Sequence, residues 1–395
     1  MTVSAYALAH SPDAATGAAP ALLAVRQIRL SDFRNYRQLR LDCGLEPVVL
    51  VGPNGAGKTN LVEALSFLAP GRGLRRARLD EVTRRPDAAS WAVAATLDTP
   101  EGRLAIGTGL EPARSEGSLP RRVVRIDGRT ATSQAALGLH VAAVWLTPQL
   151  DRLFLDGPGE RRRFLDRLVT ALHPEHAGDV AAYENALRQR ARLLGEGNRD
   201  PHWFTALEDT MARHGVALAA NRADTVQRLD AAARLGVGPF PRAALAMAGE
   251  VDGWLASMAA IDAEDRLRAE LAASRLRDAE TGTTSMGPHR SDLAVRHLDL
   301  DLPAAEGSTG QQKALLVSIA LAHARLVTLS RGRPPLLLLD EIAAHLDAER
   351  RAALFEEVVA LGVQSWMTGT DAELFKPLAG RAQVLRVADG AVVES

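Results

Sequence analysis

The sequence predicts an α/β fold in which a mixed sheet and a small antiparallel sheet form one body, interrupted by an inserted helical arm. Three observations carry that prediction. The apolar run at residues 47–51 leads through a glycine-rich string into a helical pattern at residues 60–68, the strand, loop, helix order of a nucleotide-binding unit. A second apolar run, residues 335–340, ends in the paired acids Asp340 and Glu341. Between about residues 151 and 285 the text changes to Ala, Leu, Arg and Glu at helical period.

Taken in order, residues 1–22 are rich in Ala, Ser and Pro without periodicity, which predicts a disordered tail. Alternating apolar residues at 25–30 and 39–41 predict strands, and 47–51 predicts a buried one. Segments 91–97, 104–110 and 123–127, punctuated by Gly and Pro, predict the small antiparallel sheet, and 141–146 another buried strand. Helical periods at 161–171, 180–194, 205–235 and 263–280 make residues 151–285 the helical insertion. Beyond it, 293–300 alternates as a strand, 311–329 reads as a long helix, and 335–340, 365–368 and 384–387 read as strands. Residues 23–150 and 286–395 are therefore expected to assemble one head from both ends of the chain.

Composition sets the outer limits. The 395 residues, 47% hydrophobic and 24% charged, are those of a globular chain large enough for one domain with an insertion or for two domains. A net charge of -1 supplies no global field for polyanions, so any nucleic-acid contact must come from local patches. Only Lys58, Lys313 and Lys376 of the 47 basic residues are lysines, and an arginine cluster in so arginine-rich a chain is weak evidence. One cysteine, Cys43, rules out an internal disulfide and a cysteine-rich metal site, which suits a reducing compartment. With no Lys or Arg before Arg26 and no apolar run of membrane-spanning length, the expectation is a cytoplasmic protein, neither exported nor membrane-embedded.

The glycine-rich string runs Gly52, Pro53, Asn54, Gly55, Ala56, Gly57, Lys58, Thr59, followed by Asn60. It satisfies the phosphate-loop pattern in full. Glycines let the backbone wrap a phosphate, and the loop N–H groups with the following helix N-terminus form an anion cradle. Lys58 is placed to reach β- and γ-phosphates, and the Thr59 hydroxyl to ligate Mg²⁺. A chance turn is a poor rival, because one of only three lysines stands where the pattern demands it. Asp340 is the matching metal carboxylate, and Glu341 the group that orients and deprotonates an attacking water.

Ser308, Thr309, Gly310, Gln311 and Gln312 stand just before the long helix. By itself the string reads as a helix N-cap. Between a phosphate loop and an acidic strand it resembles the signature of the ABC class of ATPases. In that class the signature, here Ser308, Gly310, Gln311 and Gln312, closes over the ATP of a second subunit, so the resemblance implies an ATP-dependent homodimer. Asp347, in the string Ala344 to Asp347, matches that class's interface loop, with His345 beside it either part of the loop or a surface residue.

Three further strings narrow the resemblance: residues 28–36, 161–166 and 287–292, with the loop continuing to Glu63. Together they resemble the RecF family of bacterial recombination mediators, in the chromosome-maintenance and double-strand-break-repair branch of ABC ATPases. The likeness runs from about Val25 to the C-terminus. It implies a slow ATPase using ATP and Mg²⁺ that binds gapped single-strand/double-strand DNA. It further implies action with RecO and RecR to load RecA in repair and the SOS response, at the nucleoid. Two positions depart: Lys313 stands where the family usually has Arg, and Gln149 where an acid is common. Gln149 is also a candidate for the class's metal- and water-contacting glutamine.

Other residues keep two readings. Arg34 and Asn35 approach the nucleotide or form a solvated turn; His289 and Arg290 tie the insertion to the head or touch DNA. Arg72, Arg75, Arg76 and Arg78, and Arg161, Arg162 and Arg163, meet DNA phosphates or form solvated faces. Two rival functions are a transporter ATPase subunit and a short-armed structural chromosome-maintenance ATPase. The first normally has a His after the strand following the acidic one, where this chain offers Thr368 or Thr370. The second needs sustained heptads, which Gly195, Gly197, Pro201, Gly236, Gly238, Pro239 and Pro241 interrupt.

Overall fold

The structure, a computed structural model, describes residues 23–86, 88–112, 120–197 and 200–394. The tail expected over residues 1–22 lies outside them.

Strands β1 (Ala24–Phe33), β2 (Tyr36–Asp42) and β3 (Val48–Val51) lead into helix α1 (Lys58–Ser66). After the short α2 (Leu79–Val82) come β4 (Ala92–Thr99), β5 (Gly102–Glu111), β6 (Arg121–Ile126), β7 (Arg129–Thr130), α3 (Leu137–His140) and β8 (Ala143–Leu146). A helical stretch follows: α4 (Pro158–Leu172), α5 (His176–Gly195) and α6 (Pro201–Leu235). Then β9 (Ala243–Ala248) precedes α7 (Glu250–Leu255), α8 (Ala260–Ala273) and α9 (Arg275–Thr281). The chain closes with β10 (Asp292–His297), β11 (Leu302–Pro303), α10 (Thr309–Arg331), β12 (Leu336–Leu339), α11 (Ala348–Ala360), β13 (Ser365–Gly369), β14 (Gln383–Ala388) and β15 (Ala391–Glu394).

The central sheet has the order β15-β14-β3-β13-β12-β8 and is parallel except for β15. Its inner strands are continuous apolar runs, VVLV in β3 and LLLL in β12, because both faces are covered. Val49, Val51, Leu337 and Leu339 point into a core with α4, α10 and α11. Val48, Leu50, Leu336 and Leu338 point the other way, onto α1 and the antiparallel sheet. One-residue alternation along each strand thus divides two hydrophobic layers.

The antiparallel sheet is larger than the sequence predicts, six strands in the order β2-β1-β4-β5-β6-β7, because β1 pairs with β4 as well as with β2. Nor is the stretch 151–285 wholly helical. Strand β9 pairs antiparallel with β10 from beyond it, in a three-stranded sheet β11-β10-β9. Its sequence, AALAMA, carries no β-branched residue and reads as helix; pairing to β10 overrides that propensity. The expected helix over 263–280 is two helices, α8 and α9, that meet at Ser274.

Helix α10 starts at a reciprocal capping box between Ser308 and Gln311 and stops at left-handed Gly332 (φ 66°). By length and composition it could cross a membrane, contrary to the sequence expectation, but 72% of its apolar window is buried within the fold. It is a core helix lying on the central sheet.

Candidate nucleotide site

Sheet order builds the site. Strand β13 lies between β3, which delivers the phosphate loop, and β12, which delivers the acids. The register pairs Val51 with Gly369 and Leu339 with Met367, so all three strands end at one edge. Ligands of open α/β sheets bind at such carboxyl ends.

At that edge the Thr59 hydroxyl donates to Asp340 Oδ1 at 2.9 Å, and the Thr368 hydroxyl donates to the same oxygen at 2.8 Å. Thr368 Oγ1 also accepts the Glu341 N–H at 2.9 Å. Glu341 has φ 57°, a left-handed conformation rare for a residue with a side chain, and that bond holds it. Burial raises the Asp340 pKa above the ordinary carboxylate value, against the two hydroxyl bonds that lower it. Burial likewise lowers the Lys58 pKa, opposed by Glu341 and Asp340.

Within the loop, its own lysine bonds its backbone. Lys58 Nζ donates to the carbonyls of Gly52 and Pro53 at 2.7 and 2.9 Å. Gly52 (φ 155°) could carry no side chain, since a Cβ would lie 2.1 Å from the Val387 carbonyl oxygen.

Residues 34–36 hold the loop from outside. Asn35 Nδ2 donates to the Ala56 carbonyl at 3.2 Å, and its Oδ1 accepts from Asn60 Nδ2 at 2.7 Å. The Tyr36 hydroxyl donates to the Gly57 carbonyl at 3.0 Å. Arg34 forms a bidentate pair with Glu63 of α1, both bonds 2.8 Å, and the Glu63 side chain is fully buried. Arg75, assigned above to a basic cluster, instead donates to Glu63 at 2.9 Å and to Asn60 Oδ1 at 2.7 Å. Glu63, Arg75 and Thr368 are named in the sequence analysis without a role in this site; the position of Glu63, one turn past Thr59 on the loop helix, and that of Thr368, at the end of the strand after the acidic one, were the available signals.

The signature residues divide. Ser308, Thr309 and Gly310 are exposed at the start of α10. Gln312 is 4% exposed, and its Nε2 donates to the carbonyls of Ala305 and Gly307. Its side chain sits on the inward face of the first turn, bonded within the chain. Lys313, also buried, pairs with Asp151 at 2.7 Å, tying α10 to the turn that carries exposed Gln149. Gln149 follows β8, the neighbour of β12. Asp347 is exposed and caps α11 by accepting from Arg350 N at 2.8 Å.

The two remaining motifs bind each other. Arg161 forms a bidentate pair with Asp292 at 2.7 and 2.8 Å, and Arg162 donates to the Ser291 carbonyl at 2.7 Å. Arg222 pairs with Asp166 and reaches the Pro288 carbonyl at 2.8 Å. His289 donates from Nε2 to the Thr284 carbonyl at 2.9 Å and accepts the Tyr183 hydroxyl at Nδ1, 2.6 Å. Arg161 and Arg162 are thus committed inside the molecule, and His289 is a structural tie.

A phosphate loop and a carboxylate strand flanking one threonine-bearing strand, joined to an antiparallel sheet and a signature helix, define an ABC-type ATPase head. The family model "RecF/RecN/SMC N terminal domain" matches residues 24–390. The chain is 50% identical over 375 residues to the DNA replication and repair protein RecF of Mesorhizobium japonicum, covering 94% of this chain and 98% of that one. It is 47% identical over 378 residues to RecF of Rhizobium leguminosarum, covering 95% and 100%. A solved structure of the recombination mediator protein RecF with ATP in the RecFOR pathway superposes with a TM-score of 0.82 at 21% identity, covering 96% of this chain and all of that one. The chain belongs to the RecF family of DNA replication and repair proteins.

Proposed function

We propose that the chain binds ATP·Mg²⁺ at the edge shared by β3, β13 and β12, dimerises around it, and couples slow hydrolysis to DNA binding in recombinational repair. The observation that carries this reading is the meeting of Thr59, Asp340 and Glu341 around the Thr368 hydroxyl. Backbone N–H groups of the loop, Pro53 having none, would cradle the phosphates, and Lys58, now bonded to the Gly52 and Pro53 carbonyls, would hold the β- and γ-oxygens. One hydroxyl and one carboxylate, Thr59 and Asp340, suit Mg²⁺, which takes few protein ligands and completes its shell with phosphate and water oxygens. When bound, the ion would neutralise phosphate charge, Glu341 would orient and deprotonate the water, and Gln149, which follows the neighbouring strand β8, is the candidate to assist.

The exposure of Ser308, Gly310 and Asp347 supports a site completed in trans, with Ser308, Gly310 and Gln311 meeting the nucleotide of a second copy. Family membership supports action at gapped single-strand/double-strand DNA with RecO and RecR, promoting RecA loading in the cytoplasm at the nucleoid. It also supports the head-and-insertion division of the chain at residues 151–285. Thr368, in place of a histidine at the end of β13, weighs against the transporter reading.

Equilibrium ATP binding and steady-state hydrolysis, measured with duplex, single-stranded and gapped DNA, test the proposal. Lys58→Ala is expected to abolish tight ATP binding, and gapped DNA to bind more tightly with ATP than without it. Gapped DNA that neither stimulates hydrolysis nor responds to ATP would overturn it.

A further inference from the structure

A cavity of about 310 Å³ opens between the segments 69–76 and 141–145 on one side and α4 and α5 on the other. Five arginines line it: Arg72, Arg76, Arg163, Arg167 and Arg188. Its two carboxylates are already engaged. Asp166 accepts from Arg222 at 2.8 Å and from His176 at 2.9 Å, and Glu184 pairs with Arg188 at 3.6 Å.

Two donors on its walls are buried without a hydrogen-bond partner among the described residues, Arg167 Nη2 and Trp145 Nε1. Both atoms are closed off from the cavity itself, so an occupant would reach them only if these side chains turned toward it. The Arg167 guanidinium lies 5.0 Å from the Trp145 ring centroid and 5.6 Å from that of Phe164. Burial, with Arg76 and Arg163 close by, pulls the Arg167 pKa down to about 9. An anion placed among these groups would offset that repulsion, and fixed guanidinium forks suit phosphate. The rest of the wall is apolar, including Val141, Ala143 and Val180. Cavities of roughly 300 Å³ and upward are of small-ligand size. A pocket bounded on both sides suits a discrete molecule better than a polymer backbone.

We propose that this cleft is a second anion site for a nucleoside monophosphate, its phosphate held by Arg76, Arg163 and Arg167 and its base against the apolar wall. Because the walls come from the head and from α4 and α5, an occupant would brace the two against each other.

Isothermal titration with adenosine and thymidine 5′-monophosphates tests this, since neither carries the β- and γ-phosphates gripped by the phosphate loop. Binding of one molecule per chain is expected in the parent and in Lys58→Ala, weakened at least tenfold in an Arg76→Gln, Arg163→Gln double variant. Both arginines stand at the mouth, and an unchanged thermal melt shows that this variant folds even if Arg167→Gln does not. Inorganic phosphate is expected to bind at least tenfold more weakly than the nucleotides. No binding at millimolar nucleotide, equal affinity in the double variant, or loss in Lys58→Ala would overturn the site. Equal affinity for inorganic phosphate, or stoichiometric competition by a single-stranded oligonucleotide, would overturn the nucleotide assignment.

Discussion

Thr59 and Asp340 are 281 residues apart in the chain, yet the hydroxyl of one donates to the carboxylate of the other at 2.9 Å. The contact joins the two ends of the sequence into one site. Asp340→Asn is expected to lower Mg²⁺-dependent hydrolysis by about a hundredfold or more, the scale of losing a transition-state charge contact, while the fold is retained. Steady-state hydrolysis over a Mg²⁺ titration, with a thermal melt as control, checks it.

Thr368 is the pivot between the acids. Thr368→Val keeps the volume and removes both the donor to Asp340 and the acceptor of the Glu341 N–H. A loss of about 1–3 kcal/mol in unfolding free energy is expected from leaving a buried N–H unmatched, together with slower hydrolysis. Urea denaturation alongside the ATPase assay reads both.

Much of this was legible in advance, and the failures have physical causes. The phosphate loop, Asp340 and Glu341 were legible because steric and charge demands restrict those positions to a few residue types. Glu63 and Arg75 were not, because a buried ion pair is made by tertiary proximity and leaves no local pattern. Arg161 and Arg162 misled for the same reason: an arginine run looks identical whether it faces water or, as here, Asp292 and the Ser291 carbonyl. Strand β9 was missed because its alanines and methionine favour helix, and only β10 makes them a strand.

Arg161→Gln is accordingly predicted to act on stability and not on DNA. Removing one partner of its bidentate pair leaves Asp292 uncompensated, at a cost of about 1–3 kcal/mol for a half-buried site. DNA affinity measured over several salt concentrations should keep its slope, whereas replacing a phosphate-contacting arginine would lower it.

His323 is buried and His289 half-buried, and both pKa values are pulled down from 6.5 to about 4 by burial. The unfolded chain therefore takes up protons that the folded one refuses. Stability is fully present above pH 6.5 and is lost as pH falls from there toward 4, by at most about 3 kcal/mol per histidine. Chemical denaturation from pH 7.5 to 4.5 should show that decline, and His289→Gln should flatten it.

The central claim is that one chain holds half of an ATP site. Glu341→Gln keeps the loop, Thr59 and Asp340 but removes the group assigned to water. With ATP and Mg²⁺, light scattering on a sizing column should show this variant as a dimer that reverts to monomer when the nucleotide is removed. A Glu341→Gln chain that binds ATP tightly and remains monomeric at every concentration would contradict the shared site.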